Sequence, residues 1–164
     1  MNVAGRGDTN VATGVPVLDH LLVLFATHAC FDLALEVEPG GPDVEITTAA
    51  RSLGEALADP LRGPGARGHG SAVVPADEAL AHVALEASGR PLLVSNVDLS
   101  EARIAGLAGD LAARFLNEFA QTAGLTLHVR LIEGTDTQHV LEAIFKALGV
   151  AVAQACRPRR REDG

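Results

Sequence analysis

The chain has 164 residues, of which 48% are apolar and 21% charged, a composition typical of one globular domain with a sizeable core. Its 21 acidic and 13 basic residues give a net charge of −8, which excludes a nucleic-acid-binding surface spread over the whole molecule. Five Phe with no Trp or Tyr also argue against base stacking as a function.

The sequence favours a soluble protein of a reducing compartment, and we expect a cytoplasmic location without a membrane partner. Cys30 and Cys156 lie far apart in apolar surroundings, which indicates buried thiols rather than a disulfide framework. Residues Met1–Asn10 lack the apolar core of a signal peptide, and Leu21–Phe31 is too short to span a bilayer.

The first part of the chain predicts two helices around one strand. A helix begins at Pro16 and ends near Cys30, because proline suits the first helical turn. The alternation in Phe31–Glu38 is typical of a half-buried strand. A second helix is expected over Thr48–Ala58, stopping at Pro60 before a glycine-rich loop.

The middle of the chain predicts three short strands, Ser71–Pro75, His82–Ser88 and Pro91–Leu99. The helical period then returns from Ala105, and Gly124 is placed to end that helix.

The last elements predicted are a strand and a helix. Apolar residues alternate over Leu125–Glu133, and Asp136 can cap the helix that follows it. Four arginines in residues 157–164 indicate a basic flexible tail.

The order helix, strand, glycine turn, helix occurs twice, in Val17–Ala58 and Leu107–Ala155, with an offset of roughly 90 to 95 positions. We therefore predict one α+β domain over residues 1–164. Its architecture would be a two-layer α/β sandwich made of two duplicated half-domains, about 10–91 and 92–156.

The last predicted helix carries a polar face that could hold a metal ion. His139 and Glu142 are three positions apart and Lys146 follows four later, so the three share one face. An imidazole and a carboxylate one turn apart form half of a divalent metal site. The alternative is a solvated face with a Glu–Lys pair.

Two other histidines also have two interpretations. His128 shares a strand face with Thr126 and Arg130, where it lines a site or faces water. His20 lies in a nearly apolar helix, where a hydrogen-bonded core histidine is the default, although His28 extends a partly polar stripe along the same face.

Several segments resemble, in order, the motifs of the imidazoleglycerol-phosphate dehydratase family. The resemblance covers about residues 13–155. The matching segments are Thr13–Leu22 (TGVPVLDHLL), His28 with Phe31–Leu33, Val74–Leu80 (VPADEAL), Ser88–Pro91 (SGRP), Leu125–Val129 (LTLHV) and Gly134–Ala147 (GTDTQHVLEAIFKA).

The resemblance implies a hydro-lyase of histidine biosynthesis that converts imidazole glycerol phosphate to imidazole acetol phosphate. It also implies a duplicated α/β fold like that of the second domain of a ribosomal protein, trimers that pack into larger shells, and two manganese ions bound between subunits. The expected partners are other copies of the chain and a small phosphorylated imidazole.

Positions that match the family motifs imply specific roles. The implied metal ligands are His20, His128, His139 and Glu142, and the last two are also the implied catalytic residues. The implied substrate-binding residues are Arg90, Lys146, Asp77 and Glu78.

The chain departs from the family pattern at the metal ligands. In place of the first-half pair of histidines and its glutamate stands Asp43–Thr48, and no histidine lies between His28 and His69. In the second-half pair the first histidine is Gln138, whose neutral amide is a poor metal ligand.

The phosphate contacts also differ. Leu24 replaces a glutamine, and Gly68 replaces an arginine, although Arg67 is adjacent. The family's C-terminal Pro-Ser-Thr-Lys-Gly segment is replaced by Arg157–Arg161, and its N-terminal strand has no match.

Three hypotheses remain open from the sequence. The chain is a dehydratase with an altered site that adds Asp43 or Glu45 to the remaining ligands, or it is a non-catalytic relative that keeps the fold and oligomer. The third is a one-metal or metal-free relative for another small phosphorylated or imidazole ligand. Since interfacial metal ligands are lost, we expect low manganese occupancy and a smaller oligomer, such as a trimer.

Overall fold

The computed structural model describes residues 1–97, 103–104 and 107–158 and confirms a mixed α+β fold. In that part of the chain the helices are α1 (Pro16–Ala29), α2 (Pro42–Arg62), α3 (Gly109–Ala123) and α4 (Thr137–Cys156). The strands are β1 (Thr9–Ala12), β2 (Leu33–Glu36), β3 (His69–Ala76), β4 (Ala79–Glu86), β5 (Leu92–Ser95), β6 (Arg103–Ile104), β7 (Leu107–Ala108) and β8 (Thr126–Glu133).

The largest sheet has the order β3-β4-β8-β5, in which only the β5–β8 pairing is parallel. A separate parallel pair is formed by β1 and β2, and β6 pairs with β7. The expected division between halves, near residue 91, falls inside the large sheet. The hairpin β3–β4, which we assigned to the first half, is hydrogen-bonded to β8 of the second.

The chain repeats a strand–helix–strand–helix order, first in β1–α1–β2–α2 and then in β5–α3–β8–α4, each with parallel strands. The helices pack crosswise between the two series, α1 on α4 and α2 on α3. All five phenylalanines are fully buried, with ring centroids 6.4 Å apart for Phe25–Phe119 and 5.4 Å apart for Phe115–Phe145. The aromatic side chains therefore join α1, α3 and α4 in one core.

Helix α2 is longer at both ends than the expected Thr48–Ala58. It begins with Pro42 in the first turn. The first turn also contains polar residues, so the sequence shows no helical period of apolar residues there and the start of the helix was not predicted. It also continues past Pro60 to Arg62, because Pro60 lacks only its own N–H donor and the burial of Leu61 stabilises the last turn.

Three expectations fall partly outside the described residues. The start of the third helix at Ala105, the end of a strand at Leu99, and tail residues 159–164 are among the positions that the structure does not describe. In the described part, α3 begins at Gly109 and the strand after Pro91 ends at Ser95.

Helix α4 is long and apolar enough to cross a membrane by length and composition alone. It packs against α1, β3 and β4, and 67% of its most apolar window is buried inside the molecule. These contacts are those of a core helix.

Candidate active site

Helices α1 and α4 bring together two of the predicted site residues. His20 Nε2 lies 3.0 Å from Glu142 Oε1, with the His20 side chain 53% exposed and that of Glu142 15% exposed. The amide of Gln138 donates a hydrogen bond to the same carboxylate oxygen at 3.3 Å. The pair therefore joins the two halves at a position open to solvent on the histidine side.

A close approach of the helix backbones makes this pairing possible. Gly149 of α4 lies against the backbone of Phe25 in α1, where a Cβ atom would collide with the Phe25 carbonyl group. Leu22 and Phe25 are buried on the same side of α1. The small residue lets α1 and α4 pack tightly enough for the side chains one and two turns away to meet.

His139 contacts the turn between β3 and β4 instead of Glu142. Its Nδ1 lies 2.6 Å from Glu78 Oε2, and its Nε2 lies 3.3 Å from Asp77 Oδ2. Asp77 has a φ of 50°, a left-handed conformation that a two-residue hairpin turn requires and that aspartate tolerates. Asp136 accepts a hydrogen bond from the His139 amide, confirming the predicted helix cap.

This arrangement places the His139 imidazole between the carboxylates of Asp77 and Glu78. The Asp136 backbone amide and the His139 side chain donate to Glu78, lowering the pKa of Glu78 to about 2. The hydrogen bond to Glu78 in turn raises the pKa of His139. In this conformation both ring nitrogens of His139 face carboxylates, Nδ1 that of Glu78 and Nε2 that of Asp77.

The other predicted residues lie apart from these two groups within one chain. Leu127 and Val129 of β8 are buried on the side that carries α4, so the alternation of the strand places His128 on the opposite, exposed face. The structure thus does not bring His128 to Glu142, and its role as a ligand with Glu142 lacks support within a single chain.

The two predicted substrate-binding cations also differ in position. Arg90 follows the far end of β4 from Glu78, and the eight residues of β4 span roughly 26 Å. Lys146 is half-buried one turn beyond Glu142 in α4. Only Lys146 therefore belongs to the α4 group in one chain.

The corresponding position in the first half holds an ion pair instead of a cation site. Arg114 of α3 lies with Nη1 3.4 Å from Asp43 Oδ1 at the start of α2. Glu45 is 7% exposed, with Oε1 accepting a weak hydrogen bond from Gly40 and Oε2 packed where Gly14 has no side chain. A guanidinium already neutralises Asp43 there.

Sequence patterns did not single out Arg114. It lies 94 positions after His20, within the offset of the duplication, and it contacts the start of α2 as His20 contacts the start of α4. An alignment of the two halves of the sequence, position by position, would have matched Arg114 with His20.

Among the described residues of one chain, the donors that are brought together make one half-site. Within residues 1–97, 103–104 and 107–158, no group of three or more His, Cys, Asp or Glu side chains is placed to hold a metal ion. His20 and Glu142 supply one nitrogen and one carboxylate, which is a half-site that fits a divalent ion if other ligands come from water or another chain. The Arg114–Asp43 pair does not fit a second ion.

Fold and site together define an α+β protein with a duplicated strand–helix unit and a histidine–carboxylate half-site between its halves. The model of the imidazoleglycerol-phosphate dehydratase family matches residues 13–152 of the sequence. The chain belongs to the imidazoleglycerol-phosphate dehydratase family.

Relatives and solved structures agree with this assignment. The chain is 40% identical to the imidazoleglycerol-phosphate dehydratase of Pelobacter propionicus, covering 100% of this chain and 86% of the relative. It is 44% identical to that of Syntrophobacter fumaroxidans, with 100% and 85% covered. The crystal structure of the Staphylococcus aureus dehydratase superposes with a TM-score of 0.87 at 31% identity, covering 94% of this chain and 90% of that one.

Proposed function

We propose that this chain is a dehydratase of low activity that removes water from imidazole glycerol phosphate and gives imidazole acetol phosphate. The observation that carries the proposal is the pair His20–Glu142, 3.0 Å apart on the two helices that join the halves. Relatives of that name, 40% and 44% identical over the whole chain, support the substrate class.

The proposed centre holds a single manganese ion on His20 and Glu142. When bound, such an ion would act as a Lewis acid that stabilises the negative charge developing on the imidazole ring of the substrate. Gln138, which already contacts Glu142, would keep the carboxylate oriented. Solvent or a second copy of the chain would supply the remaining ligands.

Proton transfer falls to the group around His139. Nε2–H of a protonated His139 would give its proton to the hydroxyl group on the carbon next to the ring, which leaves as water, while Nδ1–H of His139 stays hydrogen-bonded to Glu78. Glu142 would accept the proton removed from the following carbon, which keeps its own hydroxyl group. The enol formed would take up a proton from solvent at the carbon next to the ring, lose its hydroxyl proton and become the ketone, and solvent exchange would return both side chains to their starting states. Asp77 and Glu78 would thus act in positioning His139.

Binding of the phosphate would involve Lys146 from the same chain. Since Arg90 lies at the other end of β4, it would serve the site of a neighbouring copy in a homo-oligomer. We propose a trimer in the cytoplasm. Each missing ligand or contact commonly lowers metal affinity or activity about 10- to 100-fold, so slow turnover is expected.

Complementation of a histidine auxotroph that lacks this dehydratase tests the activity. Slow growth with the wild-type chain, and none with Glu142→Gln at equal protein level, would support the proposal. No growth with folded wild-type protein would overturn it and favour a non-catalytic relative, a role with which the Arg114–Asp43 ion pair is compatible. Metal analysis that finds about two manganese ions per chain would contradict the single centre.

A further inference from the structure

Both cysteines of the chain lie at the same end of the α1–α4 helix pair. These helices run in the same direction, because the contact of α1 with Gly149 follows the His20–Glu142 contact further along both of them. Cys156 is the last residue of α4, and Cys30 directly follows the last residue of α1. Tertiary packing thus brings two thiols that are distant in sequence to one end of the helix pair.

The two cysteines line one depression of about 400 Å³ at this end of the molecule. Ala29 of α1 and Ala153 of α4 line it as well and are buried, so the helix ends meet there through small side chains. A depression of this size admits a small molecule. It therefore gives one small reactant access to both thiols.

The two thiols differ in their surroundings. The sequence predicted two buried thiols, whereas Cys30 is exposed and Cys156 is half-buried. Burial raises the pKa of the Cys156 thiol to about 11, so this thiol is protonated near neutral pH. Because only an accessible cysteine can meet a reactant from solvent, Cys30 is placed to react first and Cys156 second.

Cys30 also adopts a backbone conformation that side chains rarely take. It follows α1 with a φ of 57° and a ψ of 36°, in the left-handed region where glycine is the usual residue after a helix. Its amide donates to the Ala26 and Thr27 carbonyl oxygens, which holds the residue in place. A cysteine thus occupies a position that glycine would fill at lower energy, and the helix end alone does not explain its side chain.

We propose that Cys30 and Cys156 form a reversible disulfide by exchange with a small disulfide of the glutathione class. The Cys30 thiolate would attack one sulfur of the oxidant, whose S–S bond breaks and releases one thiolate. The Cys156 thiol would then lose its proton to solvent and attack Sγ of Cys30 in the mixed disulfide, which releases the second thiolate. The two small thiolates take up the two protons that the cysteines release, and the oxidant gains the two electrons that the cysteine sulfurs lose.

The surroundings of the pair suit this exchange. The guanidinium of Arg157 lines the same depression and would attract the carboxylates of glutathione disulfide. An excess of the small thiol would reverse the reaction, so the bond is compatible with a compartment in which thiols are normally reduced. When formed, the bond would tie the end of α1 to the end of α4.

Mass spectrometry of the full chain treated with glutathione disulfide tests the proposal. The mass of the wild type should fall by two hydrogen atoms with no glutathione retained, and reduced glutathione should restore the original mass. Peptide mapping should then find Cys30 joined to Cys156. The measurement needs no catalytic activity, so its outcome is independent of the proposed function.

Two matched variants separate the two steps. Cys156→Ser should stop at the mixed disulfide and keep one glutathione on Cys30, since the second thiol is missing. Cys30→Ser should react at least about tenfold more slowly than Cys156→Ser, because its remaining thiol is half-buried and protonated. Cys30→Gly, which suits the left-handed conformation, should react as slowly as Cys30→Ser.

The proposal is overturned if the wild type keeps glutathione on Cys30 without forming the internal bond, or if it forms disulfide-linked dimers instead. Equal reaction rates of Cys156→Ser and the two Cys30 variants would also overturn it. Circular dichroism of the reduced proteins shows whether each variant is folded, and Cys30→Gly replaces Cys30→Ser in the comparison if serine disturbs the end of α1.

Discussion

The Glu142 carboxylate contacts His20 Nε2 and accepts a hydrogen bond from the Gln138 amide. This one side chain therefore supplies the carboxylate of the half-site and also contacts its histidine. Glu142→Gln keeps the size of the side chain and removes its negative charge. We expect manganese affinity to fall at least tenfold, because a neutral amide is a much poorer ligand for this ion. Paramagnetic broadening of the His20 imidazole signal by added Mn²⁺ measures the change.

The matched control for this prediction is Glu55→Gln, an exposed glutamate of α2. Glu55→Gln changes the net charge of the chain by the same amount as Glu142→Gln. Comparing the two variants therefore distinguishes the loss of a metal ligand from a weaker general attraction of cations. Equal Mn²⁺ broadening of His20 in Glu142→Gln and in wild type would rule out the half-site.

The contact between Glu78 and His139 makes a pH-dependent contribution to stability. The pKa of Glu78 falls to about 2 when folded, so its contribution is present above its unfolded pKa near 4.5 and is lost as the pH falls towards 2. The pKa of His139 is raised when folded, so its contribution is present below 6.5 and is lost as the pH rises through the higher folded value.

Glu78→Gln should therefore destabilise the metal-free protein most between about pH 4.5 and 6.5. Urea midpoints of the wild type and the variant, measured from pH 3 to 9 with chelator, test this. The two curves should approach each other as the pH falls from 4.5 towards 3, and again as it rises above neutrality. A constant difference across the whole range would show that the lost contact is steric and not ionic.

At the scale of elements, the contact of α1 with α4 depends on Gly149. Gly149→Ala adds a Cβ that meets the Phe25 carbonyl, and we expect overpacking to cost about 1–3 kcal/mol despite the better helix propensity of alanine. Because α1 would shift, His20 should also lose its contact with Glu142. Denaturant unfolding and the His20 signal report the two effects.

Gly63→Ala is the control for Gly149→Ala. Its φ of −59° is accessible to alanine, and the added Cβ would have only ordinary contacts with the Asp59 carbonyl oxygen at 3.5 Å. Its stability should stay within about 0.5 kcal/mol of wild type. Equal stability of the two glycine variants would show that Gly149 is not needed for the close approach of α1 and α4.

Local signals predicted the elements whose ends are set by nearby residues. Pro16 marked the start of α1 and Asp136 the start of α4, since each acts on its own first turn. Strand β1 was missed because its four residues are ordered by parallel pairing with β2, more than twenty residues later in the chain. No local pattern contains that pairing.

The site could be predicted only in pieces. Helical spacing marked Glu142, and the resemblance supplied His20 as another metal ligand, but neither predicted that His139 turns to Glu78. The orientation of His139 depends on the hairpin turn at Asp77, which the sheet brings to the start of α4. Such contacts arise from tertiary packing, and residue spacing does not encode them.

At the scale of the whole molecule, the duplicated halves have diverged at matching contacts. The α1–α4 contact keeps a histidine–carboxylate pair, and the α2–α3 contact holds the Arg114–Asp43 pair instead. An arginine supplies its positive charge permanently, without a metal ion. We therefore expect assembly of this chain to depend on apolar contacts and not on manganese.

Val44 lies beside Asp43, in the stretch that replaces the first-half ligands, and is an apolar side chain 56% exposed. If copies of the chain meet there, burying Val44 stabilises the trimer, and Val44→Asp should dissociate it by placing a charge between Asp43 and Glu45. Val73→Asp, which changes an equally apolar side chain 53% exposed on edge strand β3, should leave the trimer intact.

Sedimentation of the 16.9-kDa chain with chelator and with Mn²⁺ decides between these modes of assembly. The wild type should sediment as a trimer in both conditions, because the half-site offers two donors and remains open on the His20 side. Val44→Asp should give a monomer, and Val73→Asp a trimer. A particle many times larger than a trimer that forms only with Mn²⁺ would show that the metal still joins the subunits, and assembly through apolar contacts alone would then have to be abandoned.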